Sequence, residues 1–99
     1  LVVILDTKNK INAIHRVFTG SLNTSVAHPR EIFRSALLNN GARILVYHNH
    51  PSGNTEPSEA DLIFTKRMEE AGSILGIDLL DHIIVSGKEW LSLREYGLL

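Results

Sequence analysis

The stretch over residues 44–61 constrains the fold more than any other part of the chain. An apolar run, Ile44-Leu45-Val46-Tyr47, leads into His48-Asn49-His50-Pro51-Ser52-Gly53, and a helical pattern begins near Glu59 after Pro57-Ser58. Aliphatic residues, then turn formers, then a 3.6-residue period make a strand–turn–helix unit. Side chains alternate along a strand, so His48 and His50 point the same way and Asn49 points away. Asp61 falls on the first turn of the helix, within reach of the two imidazoles. Two imidazoles and one carboxylate form a complete protein ligand set for a catalytic zinc, with one position left open. The same spacing has a plain structural reading. Ser58-x-x-Asp61 is a capping box, with Ser58 as N-cap and Asp61 at N3. The readings are compatible, because Ser58 can cap while Asp61 binds metal.

The flanking chain supplies a sheet and a second helix. Residues 1–5 are β-branched and aliphatic and read as a well-covered strand; residues 6–10 form a turn, and residues 11–18 a second strand of a hairpin. His15, in that strand, reads as solvent-facing or structural. Residues 19–24 read as loop, with Gly20 at a turn, and residues 25–27 as a short extended piece. Pro29 at N1 and Glu31 at N3 open a helix whose apolar positions are Ile32, Phe33, Ala36 and Leu37, with Gly41 expected as its C′ residue. Arg30 and Arg34 read as solvated, and Glu31 as a first-turn dipole partner. On the second helix Ile63, Phe64, Met68 and Ala71 are expected to face the core, opposite Lys66, Glu69 and Glu70, with Gly72 and Gly76 marking its end. Residues 81–85 read as the next strand. Asp81 and His82 face opposite ways there, so His82 is expected to orient a neighbour and not to bind metal directly. Residues 91–95 are expected to form a short helical turn, with Leu98 and Leu99 packing back. The order β-β-α-β-α-β implies an α/β fold, a three-layer α/β/α arrangement around a mixed sheet, with ligands at the carboxyl end of the third strand.

Composition narrows the function. Ninety-nine residues make a single domain, and three Phe, two Tyr and one Trp leave an aliphatic core. Ten Lys and Arg against eleven Asp and Glu lack the basic footprint of a nucleic-acid binder. No cysteine is present, which removes thiolate ligands and a Cys nucleophile. No apolar run reaches the roughly 20 residues of a membrane span, and the opening run is too short for a signal peptide, so a cytoplasmic location without membrane contact is expected. The chain opens inside a strand-like run without an initiator Met, and a longer parent protein is expected.

His48-x-His50-Pro51, six residues, then Ser58-x-x-Asp61 resembles the JAMM motif of the JAB/MPN metalloenzymes. Pro29-Arg30-Glu31, His48 to Gly53, Pro57-Ser58 and Asp81-His82 resemble its bacterial RadC-like branch, across essentially the whole chain. The resemblance implies a cytidine-deaminase-like JAB/MPN domain over residues 1–99. It implies Zn2+ held by His48, His50 and Asp61, with Ser58 as the catalytic residue on the oxyanion side. It also implies a general-base Glu at the opening of the first strand. No Glu stands in residues 1–5, so that residue is expected just upstream of Leu1; Glu31 is a weaker substitute, a catalytically weak or dead member is the third option, and Asp6 is at the wrong end of the strand. Any DNA contact is expected through a helical N-terminal region of the parent protein.

Three functions compete on these residues. The leading one is a zinc metallopeptidase or isopeptidase acting on an amide bond. A repair-associated factor or nuclease is weaker, since phosphodiester chemistry usually wants two metals or many carboxylates. A non-catalytic protein-binding scaffold is the third. Substrate choice is expected to lie in residues 20–27 and 53–57. The first strand is expected near a sheet edge, where it could pair with another chain.

Overall fold

A computed structural model describes residues 1–16 and 28–99 of the chain. Their elements are β1 (Val2–Leu5), β2 (Ile11–His15), α1 (Pro29–Leu38), β3 (Arg43–Asn49), α2 (Glu59–Leu75), β4 (Asp78–Ser86) and β5 (Glu89–Ser92). The five strands form one mixed sheet in the order β2-β1-β3-β4-β5. Only β3 and β4 are parallel; the other neighbours are antiparallel. The parallel pair needs a crossover, and α2 supplies it. The mixed α/β class expected from the element order is therefore present.

Val2 and Ile4 pair with Val46 and Ile44 across β1 and β3, so all four share one face. They join Ile32, Phe33 and Ala36 of α1 and Phe64 and Met68 of α2 in one buried cluster. The two helices also touch each other. Both therefore belong to the same layer, and the layer expected on the opposite face is not found among the described residues. The hairpin of β1 and β2 is as expected, with Asp6 Oδ1 accepting from the backbone of Lys8 and Lys10 at its turn. Its expected continuation over residues 17 and 18, the Gly20 turn and the extended piece at 25–27 lie outside the described residues.

Several local expectations are corrected. β1 is not at an edge: β2 and β3 occupy both of its sides, and among the described residues the edges are β2 and β5. The left-handed residue after α1 is Asn40 (φ 53), not Gly41. Gly41 is needed for closeness instead, because a Cβ there would run into Ile4 and the Ala36 carbonyl. Gly72 lies inside α2, where a Cβ would collide with the Ile77 carbonyl; the cap is Gly76, at φ 72. Leu37 and Ile63 are exposed. On α2 the buried positions are Asp61, Phe64, Thr65, Met68 and Gly72, so polar residues take the place that periodicity assigned to Ile63. Leu91 and Ser92 belong to β5, and turns follow only from Leu93. Leu99 packs back on the core as expected, whereas Leu98 is exposed.

Candidate metal centre

The polar cluster sits where β3 ends and α2 begins. Along β3 the inward positions are Ile44, Val46 and His48, and the strand closes at Asn49, which is exposed. The His50 N–H donates to the Val85 carbonyl at 2.8 Å, and the Ser86 hydroxyl donates to the His50 carbonyl. Both β4 contacts hold the backbone of His50 just beyond the strand. The chain then reverses through Pro51 to Gly53, whose φ of 86 is left-handed, and enters α2 at Ser58.

The expected capping box is formed. The Asp61 N–H donates to Ser58 Oγ at 3.1 Å, and the Ser58 N–H donates to Asp61 Oδ2 at 2.8 Å. The carboxylate then meets both imidazoles: Asp61 Oδ1 lies 3.1 Å from His48 Nδ1, and Oδ2 lies 2.9 Å from His50 Nε2. The rings of His48 and His50 stand edge to face with centroids 4.7 Å apart. One ligand atom from each of the three residues lies within 4.8 Å of the others. Asp61 and His48 are buried, and His50 is nearly so.

The donor set suits a metal ion. His50 Nδ1 lies 2.9 Å from the Asn54 carbonyl, and a carbonyl can only accept, so Nδ1 carries the proton. In the neutral ring Nε2 then presents a lone pair toward the Asp61 carboxylate, an arrangement that a shared cation satisfies. A backbone carbonyl on the far nitrogen is the usual way a ligating imidazole is oriented. Burial acts to raise the Asp61 carboxyl, but the His48 contact and the Ser58 hydrogen bonds outweigh it and hold the carboxyl well below its usual range. Asp61 is thus an anion at neutral pH, as metal ligation requires.

His82 lies under this cluster. A bulge between Leu79 and Asp81 resets the alternation of β4, so Leu79 and His82 both point inward. The His82 ring is fully buried, 6.1 Å by centroid from that of His48. Its Nδ1 is 2.7 Å from the Thr65 hydroxyl, while Nε2 has no hydrogen-bond partner among the described residues. Burial pushes its pKa down to about 4; the Asp61 carboxylate opposes this and His48 adds to it. His82 is outside the three-residue cluster. Thr65 was missed in the sequence; its place one helical turn after Asp61 was the available signal. Asp81 faces away and accepts from the Ser92 hydroxyl and the Arg94 N–H.

Ser58 is exposed beside Asp61, and its hydroxyl proton is not used by the cap. Glu31 is exposed at the start of α1 and is no part of the cluster. A groove on the α2 side of the centre is lined by Asn54, Pro57, Leu62, Leu91, Tyr96 and Leu98. No helix among the described residues is long and apolar enough to cross a membrane.

A family model described as the RadC-like JAB domain matches residues 1–98. A curated relative from Clostridium beijerinckii, named UPF0758 protein, is 53% identical over 98 residues, which is 99% of this chain and 43% of the relative. A UPF0758 protein of Enterococcus faecalis is 58% identical over 93 residues, 94% of this chain and 40% of that protein. One from Clostridium botulinum is 50% identical over 96 residues, covering 97% of this chain and 42% of the relative. The chain therefore spans about two fifths of the length of these relatives. The cluster of His48, His50 and Asp61 resembles a JAMM-type metal site and is compatible with Zn2+.

Proposed function

The chain belongs to the RadC-like JAB domain family, and from that premise we propose that it is the hydrolytic domain of a zinc-dependent metallopeptidase or isopeptidase. The observation that carries the reading is the convergence of His48, His50 and Asp61 within 4.8 Å at a buried, well-anchored site. Zinc at such a donor set supplies Lewis acidity, which polarises a carbonyl and acidifies water toward neutral pH.

The chain's own residues do the rest. Asp61 contributes a fixed carboxylate, held by the Ser58 N–H on Oδ2 and lying 3.1 Å from His48 Nδ1 through Oδ1. His50 is held by the Asn54 carbonyl on its ring and by β4 on its backbone, which aims its Nε2 at the Asp61 carboxylate. Ser58 Oγ accepts from the Asp61 N–H and keeps its own proton free for a developing oxyanion. The strand register supports the proton shuttle expected from the family resemblance. Val2 pairs with Val46, so a residue preceding Leu1 would continue β1 opposite His48 and on its face. A Glu there would stand beside the cluster, within reach of a water and of the leaving amine.

The test is hydrolysis of a panel of Lys-linked isopeptides and linear peptides by the full-length protein. Activity is expected to disappear on chelation and to return with zinc. A protein that binds zinc yet cleaves nothing in the panel would overturn the hydrolase reading and favour the scaffold.

A further inference from the structure

A second cluster of charge lies away from the metal centre, in a cleft between α1 and the end of β2. Arg16, Arg30 and Arg34 line it, with His15, Glu31 and Ser35. All three arginines are exposed, and none forms an ion pair among the described residues. Among the described residues Glu31 is the one carboxylate lining the cleft, so three guanidiniums face a single negative charge. Residues 17–27, which join Arg16 to His28, contain no Asp or Glu. Two buried polar atoms of the lining residues, His15 Nε2 and Ser35 Oγ, also lack a hydrogen-bond partner among the described residues. With the whole chain at −1, this excess of positive charge is local.

The topology ties the cleft to the metal centre. Asn12, at the start of β2, donates to the Asn39 carbonyl at 2.9 Å, so the C-terminal end of α1 lies at that end of β2. The N-terminal turn of α1, with Arg30, therefore lies toward Arg16. Val2 pairs with both His15 and Val46, which places Arg16 in line with Leu1 and Tyr47, at the end of the sheet where His48 lies. Strands are about 4.8 Å apart, so the backbone of Arg16 is two strands, or about 10 Å, from that of Tyr47 and His48.

We propose that this cleft is an acidic subsite, which binds carboxylates of a peptide whose scissile amide lies at the metal centre. A separation of about 10 Å corresponds to roughly three extended residues. What occupies the far end rests on the hydrolase reading; carboxylate binding in the cleft does not. A peptide fits better than a nucleic acid. Single-stranded nucleic acid asks for aromatic platforms along its basic groove, and no aromatic residue lines this cleft among the described residues.

The test is fluorescence anisotropy with full-length protein and a labelled peptide alternating Glu and Gly, against a counterpart alternating Gln and Gly. The Glu peptide is expected to bind about tenfold tighter at low salt and to lose that advantage as salt rises. Arg30→Gln/Arg34→Gln should abolish the difference while circular dichroism stays unchanged, since both side chains are exposed. Equal binding of the two peptides, or a double variant that binds like wild type, would overturn the subsite. A labelled oligothymidylate that binds tenfold tighter than the Glu peptide would overturn the choice of a peptide. Zinc content is measured on the same sample, so a failed cleft and a failed metal centre give separate results.

Discussion

The helix-covered face of the sheet has two halves built from opposite chemistry. In one, Ile4, Ile44 and Val46 meet Phe33 and Met68, and burial is aliphatic. In the other, His48, Asp61, Thr65 and His82 are just as buried but polar. On β3 the change comes between Val46 and His48; on α2 the buried Asp61 and Thr65 are polar, while Phe64 and Met68 are apolar. Hydrophobic transfer accounts for the first half. The second carries a desolvation cost that apolar residues would avoid, and every one of its groups lies at or beneath the three-residue cluster. Buried polarity gathered around one cluster supports the proposed role of that end, with the aliphatic half as its framework.

The largest effect is expected in the apolar half. Met68→Ala should cost about 2–5 kcal/mol in urea unfolding, because it opens a cavity in a fully buried site. It should leave zinc content unchanged. Loss of zinc in a folded Met68→Ala protein would break the division between the halves.

In the polar half the strongest expectation concerns acid. The His82 pKa lies near 4 in the folded protein, against about 6.5 in an unfolded chain. Between these values the unfolded state binds more protons, so stability falls as pH drops from about 6.5 toward 4. For the metal-free protein this corresponds to about 3 kcal/mol across the window. His82→Gln should remove most of that slope in urea titrations at stepped pH. An unchanged slope would place the acid sensitivity elsewhere. The Asp61 contribution belongs to a lower window, since its folded pKa is depressed and its stabilisation is lost only below the ordinary carboxylate range.

A smaller effect separates structure from chemistry at Ser58. Ser58→Ala should cost about 1 kcal/mol as a lost N-cap, and Ser58→Gly only a few tenths. Both remove the hydroxyl proton, so both should lower kcat about 100-fold if that proton serves the oxyanion. A kcat that tracks stability instead would reduce Ser58 to a cap.

How much of this was legible depended on distance along the chain. The centre is written within residues 48–61, and local rules sufficed: alternation at His48 and His50, turn formers at Pro51 and Gly53, a capping box at Ser58 and Asp61. The sheet class and Pro29 at the head of α1 were equally readable. Features set by remote neighbours were not. Gly41 and Gly72 look like helix stops, yet their lack of a Cβ answers to Ile4 and to the Ile77 carbonyl. Ile63 looked like core because a hydrophobic reading of α2 discounts Asp61 and Thr65, which are the residues that turn inward. The bulge that turns His82 toward the cluster depends on the register between β3 and β4, and no periodicity announces it. The second neighbour of β1, β3, is likewise non-local, whereas β2 is its local hairpin partner.

The most direct test of the central claim is zinc stoichiometry by elemental analysis of full-length protein purified without chelator, beside a His48→Ala/His50→Ala variant. The account predicts about one zinc per chain in the wild type, from a single His2Asp donor set, and none in the folded variant. A folded wild type without zinc, or a variant that keeps it, would contradict the account and leave Ser58 and Asp61 as a capping box.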